Sequence, residues 1–98
     1  AQKMIQSFAD PETEGVFRGS QSRKLPPDIQ NTARRKLRQL NRAARLDDMR
    51  IPGGNHLEKL KGFTPSRYSV RINDQWRVTF RWSEGDAHDV RIEDYHKG

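Results

Sequence analysis

No cysteine occurs among the 98 residues, which excludes disulfide staples and thiolate metal sites. A chain without thiols suits a reducing cytoplasm, and that compartment is the expectation. Long apolar runs are missing as well. No segment can therefore be read as a bilayer span or a signal peptide, and no membrane partner is expected. Metal-binding patterns are also lacking: His56, His88 and His96 show no paired ligand spacing, and no carboxylate cluster resembles a two-metal site. Nucleophilic triads and phosphate-cradling glycine loops are absent too, with Gly53 and Gly54 better read as loop punctuation. The chemistry is accordingly expected to need no metal ion and no small-molecule cofactor.

What is there is charge. Charged residues make up 33% of the chain against 32% hydrophobic, and Lys plus Arg outnumber Asp plus Glu by 19 to 13, a formal charge of +6. The matching pI near 10.2 makes a polyanion the natural partner. Two Trp, four Phe and two Tyr are enough to anchor one modest core. A single domain over 1–98 is expected, with Ala1, Gln2 and Lys3 ahead of Met4 set aside as an appended remnant.

Periodicity then sets the order of elements. Met4 to Phe8 alternates apolar with polar side chains and predicts a short strand. Asp10, Pro11 and Glu12 carry N-cap, first-turn proline and acidic-start chemistry for a brief helix to about Phe17. Gly19 to Lys24 reads as a loop. After Pro26 and Pro27, the residues Ile29, Ala33, Leu37, Leu40 and Ala44 form the apolar stripe of a longer helix. Its remaining faces carry Arg34, Arg35, Lys36, Arg38, Arg42 and Arg45, suited to solvent or to phosphate. Ile51 to Gly62 is rich in turn formers and polar groups, and predicts a long loop.

Beyond Pro65 the period changes to two. Tyr68, Val70 and Ile72, then Trp76, Val78, Phe80 and Trp82, then His88, Val90 and Ile92 predict three adjacent antiparallel strands. For Ile72 and Trp76 to share a face, Asn73, Asp74 and Gln75 must form the first hairpin loop. The second turn falls near Ser83 to Asp86. The predicted architecture is α+β, with an N-terminal strand and two helices on one face of a small antiparallel sheet. The other face would then display Arg71, Arg77, Thr79, Arg81 and Arg91, a cationic wall on rigid strands.

The ending Glu93, Asp94, Tyr95, His96 places carboxylates, a phenol and an imidazole beside that wall. Cleavage of a phosphodiester by its neighbouring 2′-hydroxyl needs a proton acceptor, a proton donor and cationic stabilisation of the crowded phosphate. This chain has candidates for all three. His96 is the side chain there whose ordinary pKa is nearest neutrality, so it is the best acid or base, and Asp94 could orient it or move a proton itself. A straight strand would put Ile92, Asp94 and His96 on one side, so the strand is expected to bend or end near Glu93.

The runs Asn55 to Gly62 (NHLEKLKG), Ser69 to Phe80 (SVRINDQWRVTF) and Glu93 to His96 together resemble HigB toxins of the RelE/ParE superfamily, over nearly the whole chain from Met4. The resemblance implies a RelE/ParE-like fold and a toxin that enters the ribosomal decoding site and cleaves messenger RNA. Its partners would be the ribosome, mRNA and a HigA-like antitoxin that binds DNA as the complex. It also implies catalytic roles for Asp94, Tyr95 and His96, for Lys61 as the basic loop residue and for Arg77 on the phosphate. Glu58 stands where some relatives have histidine; as a carboxylate it could accept a proton but would repel RNA. Arg71, Arg81, Arg91, Lys59 and His56 are the expected RNA contacts. A ParE-like gyrase inhibitor and a non-catalytic RNA-binding module are the competing expectations.

Overall fold

The computed structural model describes residues 5–95, so the readings that fall on Ala1 to Met4 and on His96 lie outside the described residues. Helix α1 spans Pro11–Arg18. Its start follows the sequence chemistry: the Asp10 carboxylate accepts the Thr13 N–H at 2.7 Å, and Pro11 needs no donor at the first helical position. Gly19 closes it with φ 101°, a left-handed conformation that glycine adopts without steric cost. Helix α2 spans Pro27–Arg42 and buries Ile29, Ala33, Leu37 and Leu40 along one stripe. The stripe ends one residue earlier than its period predicts. Ala43 turns extended, at φ −69° and ψ 124°, so Ala43 is buried and Ala44 is exposed.

Four strands, not three, form the sheet: β1 (Glu58–Leu60), β2 (Arg67–Arg71), β3 (Trp76–Ser83) and β4 (Asp86–Asp94), antiparallel in sequence order. The added strand β1 lies inside the segment read as a loop. Two short 3₁₀ turns, Leu46–Arg50 and Gly53–Asn55, lead into it. The first hairpin has the expected loop, since Arg71 pairs with Arg77 and the Ile72 N–H reaches the Trp76 carbonyl at 2.9 Å. The second turns on Glu84 and Gly85 between paired Ser83 and Asp86, with φ 53° and 84°. Positive φ at both central residues is what a tight hairpin with right-handed twist requires.

The N-terminal segment runs beside β4 but makes only isolated parallel bridges, Ile5 to Ala87 and Phe8 to Val90. It still covers the outer edge of β4, with the Gln6, Ala9 and Val90 amides all bonded across the gap. Helix α1 docks there too: buried Thr13 accepts the Ile92 N–H at 2.9 Å. Both helices pack on the face carrying Val70, Val78, Phe80, Val90 and Ile92, which with Leu37, Leu40 and Met49 make one core. Each fully buried side chain of this size contributes roughly 1.5–3 kcal/mol.

One expected core position is overturned. Asp89, at φ 50°, forms a β-bulge: Thr79 pairs with Arg91 but Arg81 pairs with His88, so two residues of β4 oppose Phe80 alone. The bulge reverses strand parity before it. Ala87 therefore sits in the core and His88 faces outward with Arg81.

Candidate active site on the bare face of the sheet

The face of the sheet away from the helices carries Ser69, Arg71, Arg77, Thr79, Arg81, Arg91 and Glu93, as alternate positions and the register require. Arg67 belongs to it as well. Parity with Ser69 marks that position in the sequence, but a reading that starts the strand at Tyr68 passes over it. The wall is a lattice of cations and acceptors, not a row of free arginines. Arg67 donates to Thr79 Oγ1 at 3.1 Å and to the Asp89 carbonyl at 3.0 Å, and the Thr79 hydroxyl donates onward to Glu93. Arg81 pairs with Asp89 at 3.5 Å, Arg91 approaches Glu93 at 3.9 Å, and Arg71 pairs with Asp74 at the hairpin end. Burial pushes the Arg67 pKa below its ordinary value, partly opposed by the Glu93 and Asp89 carboxylates, while Arg91 and Arg81 add to the lowering. It remains a cation, as arginine does in proteins.

Arg77 is the most enclosed of the expected site residues on this face. Its side chain is 13% exposed and pairs with Glu58 at 2.8 Å. It also donates to Ser69 Oγ at 3.2 Å and to the His56 carbonyl at 3.4 Å, and its guanidinium lies 4.4 Å from the centre of the Tyr95 ring. Glu58 reaches it because β1 pairs Glu58 with Ser69, which puts both on the bare face. Glu58 is thus a carboxylate held against the arginine.

The segment that brings Glu58 there is anchored from below. Lys36, read as part of an exposed basic face, is instead buried and donates to Asn55 Oδ1. Fully buried Asn55 donates in turn to the Met49 carbonyl at 3.0 Å and to Gln39 at 3.2 Å. Burial, with some help from Arg35, lowers the Lys36 pKa. Arg34 also turns inward, donating to the carbonyls of Val16 and Ser20. Arg35, Arg38 and Arg42 stay exposed.

Strand β4 ends at Asp94, one residue past Glu93, near the expected bend or end of the strand. Asp94 pairs with Trp76 and so belongs to the helix side at the sheet's end, where its carboxylate accepts from Gln75 at 2.9 Å. Tyr95 is secured by its N–H to the Gln75 carbonyl at 2.6 Å. A cavity of about 350 Å³ opens here, lined by Leu60, Phe63, Arg77, Thr79, Glu93, Asp94 and Tyr95. Three expected catalytic residues, Arg77, Asp94 and Tyr95, meet at it, with Glu58 one ion pair away. Lys61 is exposed in the turn directly after Leu60. Arg71, Arg81 and Arg91 lie elsewhere on the same face, whereas Lys59 pairs with Tyr68 and points to the opposite one. His56 is exposed and joins the cluster through its backbone carbonyl. A second cavity of about 320 Å³, between residues 5–8 and α1, contains none of the expected site residues.

Helices on one side of a four-stranded antiparallel sheet, and an arginine–carboxylate lattice with a tyrosine on the other, define a basic α+β protein with an arginine-rich bare sheet face. The chain matches the model of the HigB-like toxin family, described as RelE-like toxin of type II toxin-antitoxin system HigB, over residues 6–96, and it belongs to that family. It is 36% identical over 95 residues to Toxin HigB-1 of Vibrio cholerae serotype O1, covering 96% of this chain and 99% of the relative. An uncharacterized protein of Haemophilus influenzae is 27% identical over 75 residues, 76% of this chain and 74% of that one. Endoribonuclease HigB of Proteus vulgaris is 40% identical over 40 residues, 41% of this chain and 44% of the relative. The protein is thus a toxin of a type II toxin-antitoxin system, and an antitoxin is its partner. Among the described residues no helix is long and apolar enough to cross a membrane.

Proposed function

We propose that this toxin is a metal-independent endoribonuclease that cleaves messenger RNA in the ribosomal decoding site, working in the cytoplasm and silenced by a HigA-like antitoxin that binds DNA as the complex. The observation that carries the reading is Arg77: a largely enclosed guanidinium, held between Glu58 and the Tyr95 ring at the rim of a cavity that Asp94 also lines. The name of the Proteus vulgaris relative, an endoribonuclease, supports it.

In the proposed reaction a base removes the proton of a 2′-hydroxyl, whose oxygen attacks the adjacent phosphorus. The bond to the 5′-oxygen breaks as an acid protonates that oxygen, leaving a 2′,3′-cyclic phosphate and a 5′-hydroxyl. Charge builds on the phosphoryl oxygens in between, and a guanidinium already in place stabilises it with little reorganisation. Arg77 takes that role, with Lys61, exposed in the turn after Leu60, as a second cation. Asp94, His96, Tyr95 and Glu58 are the groups that hold or move the protons, and Glu58 gives up part of its hold on Arg77 when the phosphate arrives. Arg71, Arg81 and Arg91 bind flanking phosphates, with His56 at the periphery; Lys59, on the opposite face, drops out of the expected contacts.

Expression of His96→Gln and of Asp94→Asn tests this reading. Both are expected to lose growth arrest while keeping the far-ultraviolet circular dichroism of the parent; Asp94 lies outside the apolar core. Wild-type toxicity from both would count against catalysis.

A further inference from the structure

The cavity beside Arg77 has an apolar side that the proposed proton transfers leave unused. Large hydrophobic side chains stand exposed at only three of the described residues, Ile51, Phe63 and Tyr95, and two of these line this one cavity. Phe63 is 51% exposed and lies outside the hydrophobic cluster, so its ring does not serve the fold's main core. Leu60 joins it, because pairing with Arg67 puts Leu60 on the bare face. Gly62, at φ 84°, turns the chain immediately before Phe63.

We infer that Phe63 and Leu60 form a nucleobase subsite, a platform on which the base of a nucleotide next to the scissile linkage stacks while its phosphate meets Arg77. The inference rests on the endoribonuclease reading and adds how the substrate is held. A single-stranded nucleotide has a flat apolar face, a polar edge and an anionic phosphate. The cavity offers an aromatic and aliphatic wall, the Glu93 carboxylate and a guanidinium around one opening, with Asp94 at its end. Its volume of about 350 Å³ falls at the small end of ligand pockets, roughly 300–1,000 Å³. Stacking on an aromatic ring also tolerates any base, because every base has a π-face.

The test is cleavage by ribosomes programmed with a defined message, in which each nucleotide of the vacant codon is made abasic in turn. At one position, removing the base is expected to slow wild-type cleavage by about ten- to a hundredfold. Phe63→Ala should be slowed similarly on the intact message and lose nothing further at that position, whereas Phe63→Tyr, which keeps the ring, should behave as wild type. Phe63→Ala that matches wild type on the intact message, or is equally sensitive to the abasic position, overturns the subsite and leaves the endoribonuclease reading standing. So does a Phe63→Ala variant whose only defect is antitoxin binding, which would give the surface to that protein. A wild-type chain that cleaves no programmed message overturns both.

Discussion

Along strand β3, Val78 and Phe80 are fully buried beneath the helices, while Arg77, Thr79 and Arg81 between them face the other way. The two sides of one strand are closed by different means. Under the helices, apolar area removed from water holds Leu37, Leu40, Met49 and Phe80 in place with no directional bonds. On the bare side, order comes from pairing: Arg67 to Thr79 to Glu93, and Arg77 to Glu58, Ser69 and the His56 carbonyl. No buried side-chain polar atom among the described residues is left without a partner. Such a face stabilises the fold little per pair, since half-exposed ion pairs contribute about 0–1 kcal/mol. In the proposed reaction its value is that the cations are already positioned when a phosphate arrives.

The contrast predicts that the two faces fail differently. Phe80→Ala should cost about 3–5 kcal/mol of stability, measured by urea denaturation, because it opens a cavity in the core. Arg77→Ala should cost less stability than Phe80→Ala, because half-exposed Glu58 can be rehydrated, but slow single-turnover cleavage by about 10²–10³, roughly 3–4 kcal/mol of transition-state stabilisation. If Arg77→Ala instead unfolded the protein as readily as Phe80→Ala, the separation of roles would break. Asn55→Ala should cost about 2–3 kcal/mol, since it strands the buried Lys36 ammonium. Combining it with Lys36→Met should recover part of that loss, a coupling visible in a double-mutant cycle.

The smallest effect is on pH. Because burial lowers the Lys36 pKa in the folded state, the unfolded chain holds the extra proton between that lowered value and the ordinary 10.5. Stability from this group is therefore reduced at lower pH and recovers as pH rises through the window below 10.5. Lys36→Met should abolish that component of the slope in denaturation series run across the window.

The same two-face logic explains what the sequence disclosed. Both hairpins, their turns and the outward arginines followed from alternation, since period two fixes the face of every residue in a regular ladder. It fails where the ladder is irregular: the bulge at Asp89 exchanges His88 for Ala87, and nothing in the local composition marks it. Strand β1 escaped because Glu58, Lys59 and Leu60 carry no β-branched or aromatic residue, and only pairing with β2 makes them a strand. Lys36 sits among arginines in sequence, and only the fold of the following turns brings Asn55 over it. The gathering of Arg77, Asp94 and Tyr95 was legible through the family motifs. Phe63, in a turn-rich stretch, was not.

In the proposed reaction the bare face cuts RNA at Arg77. Mapping RNA 5′ ends in cells expressing the wild-type chain or Arg77→Ala tests it most directly. New ends confined to translated messages, present with wild type and lost with the variant, are predicted; intact messages alongside broken DNA would contradict it.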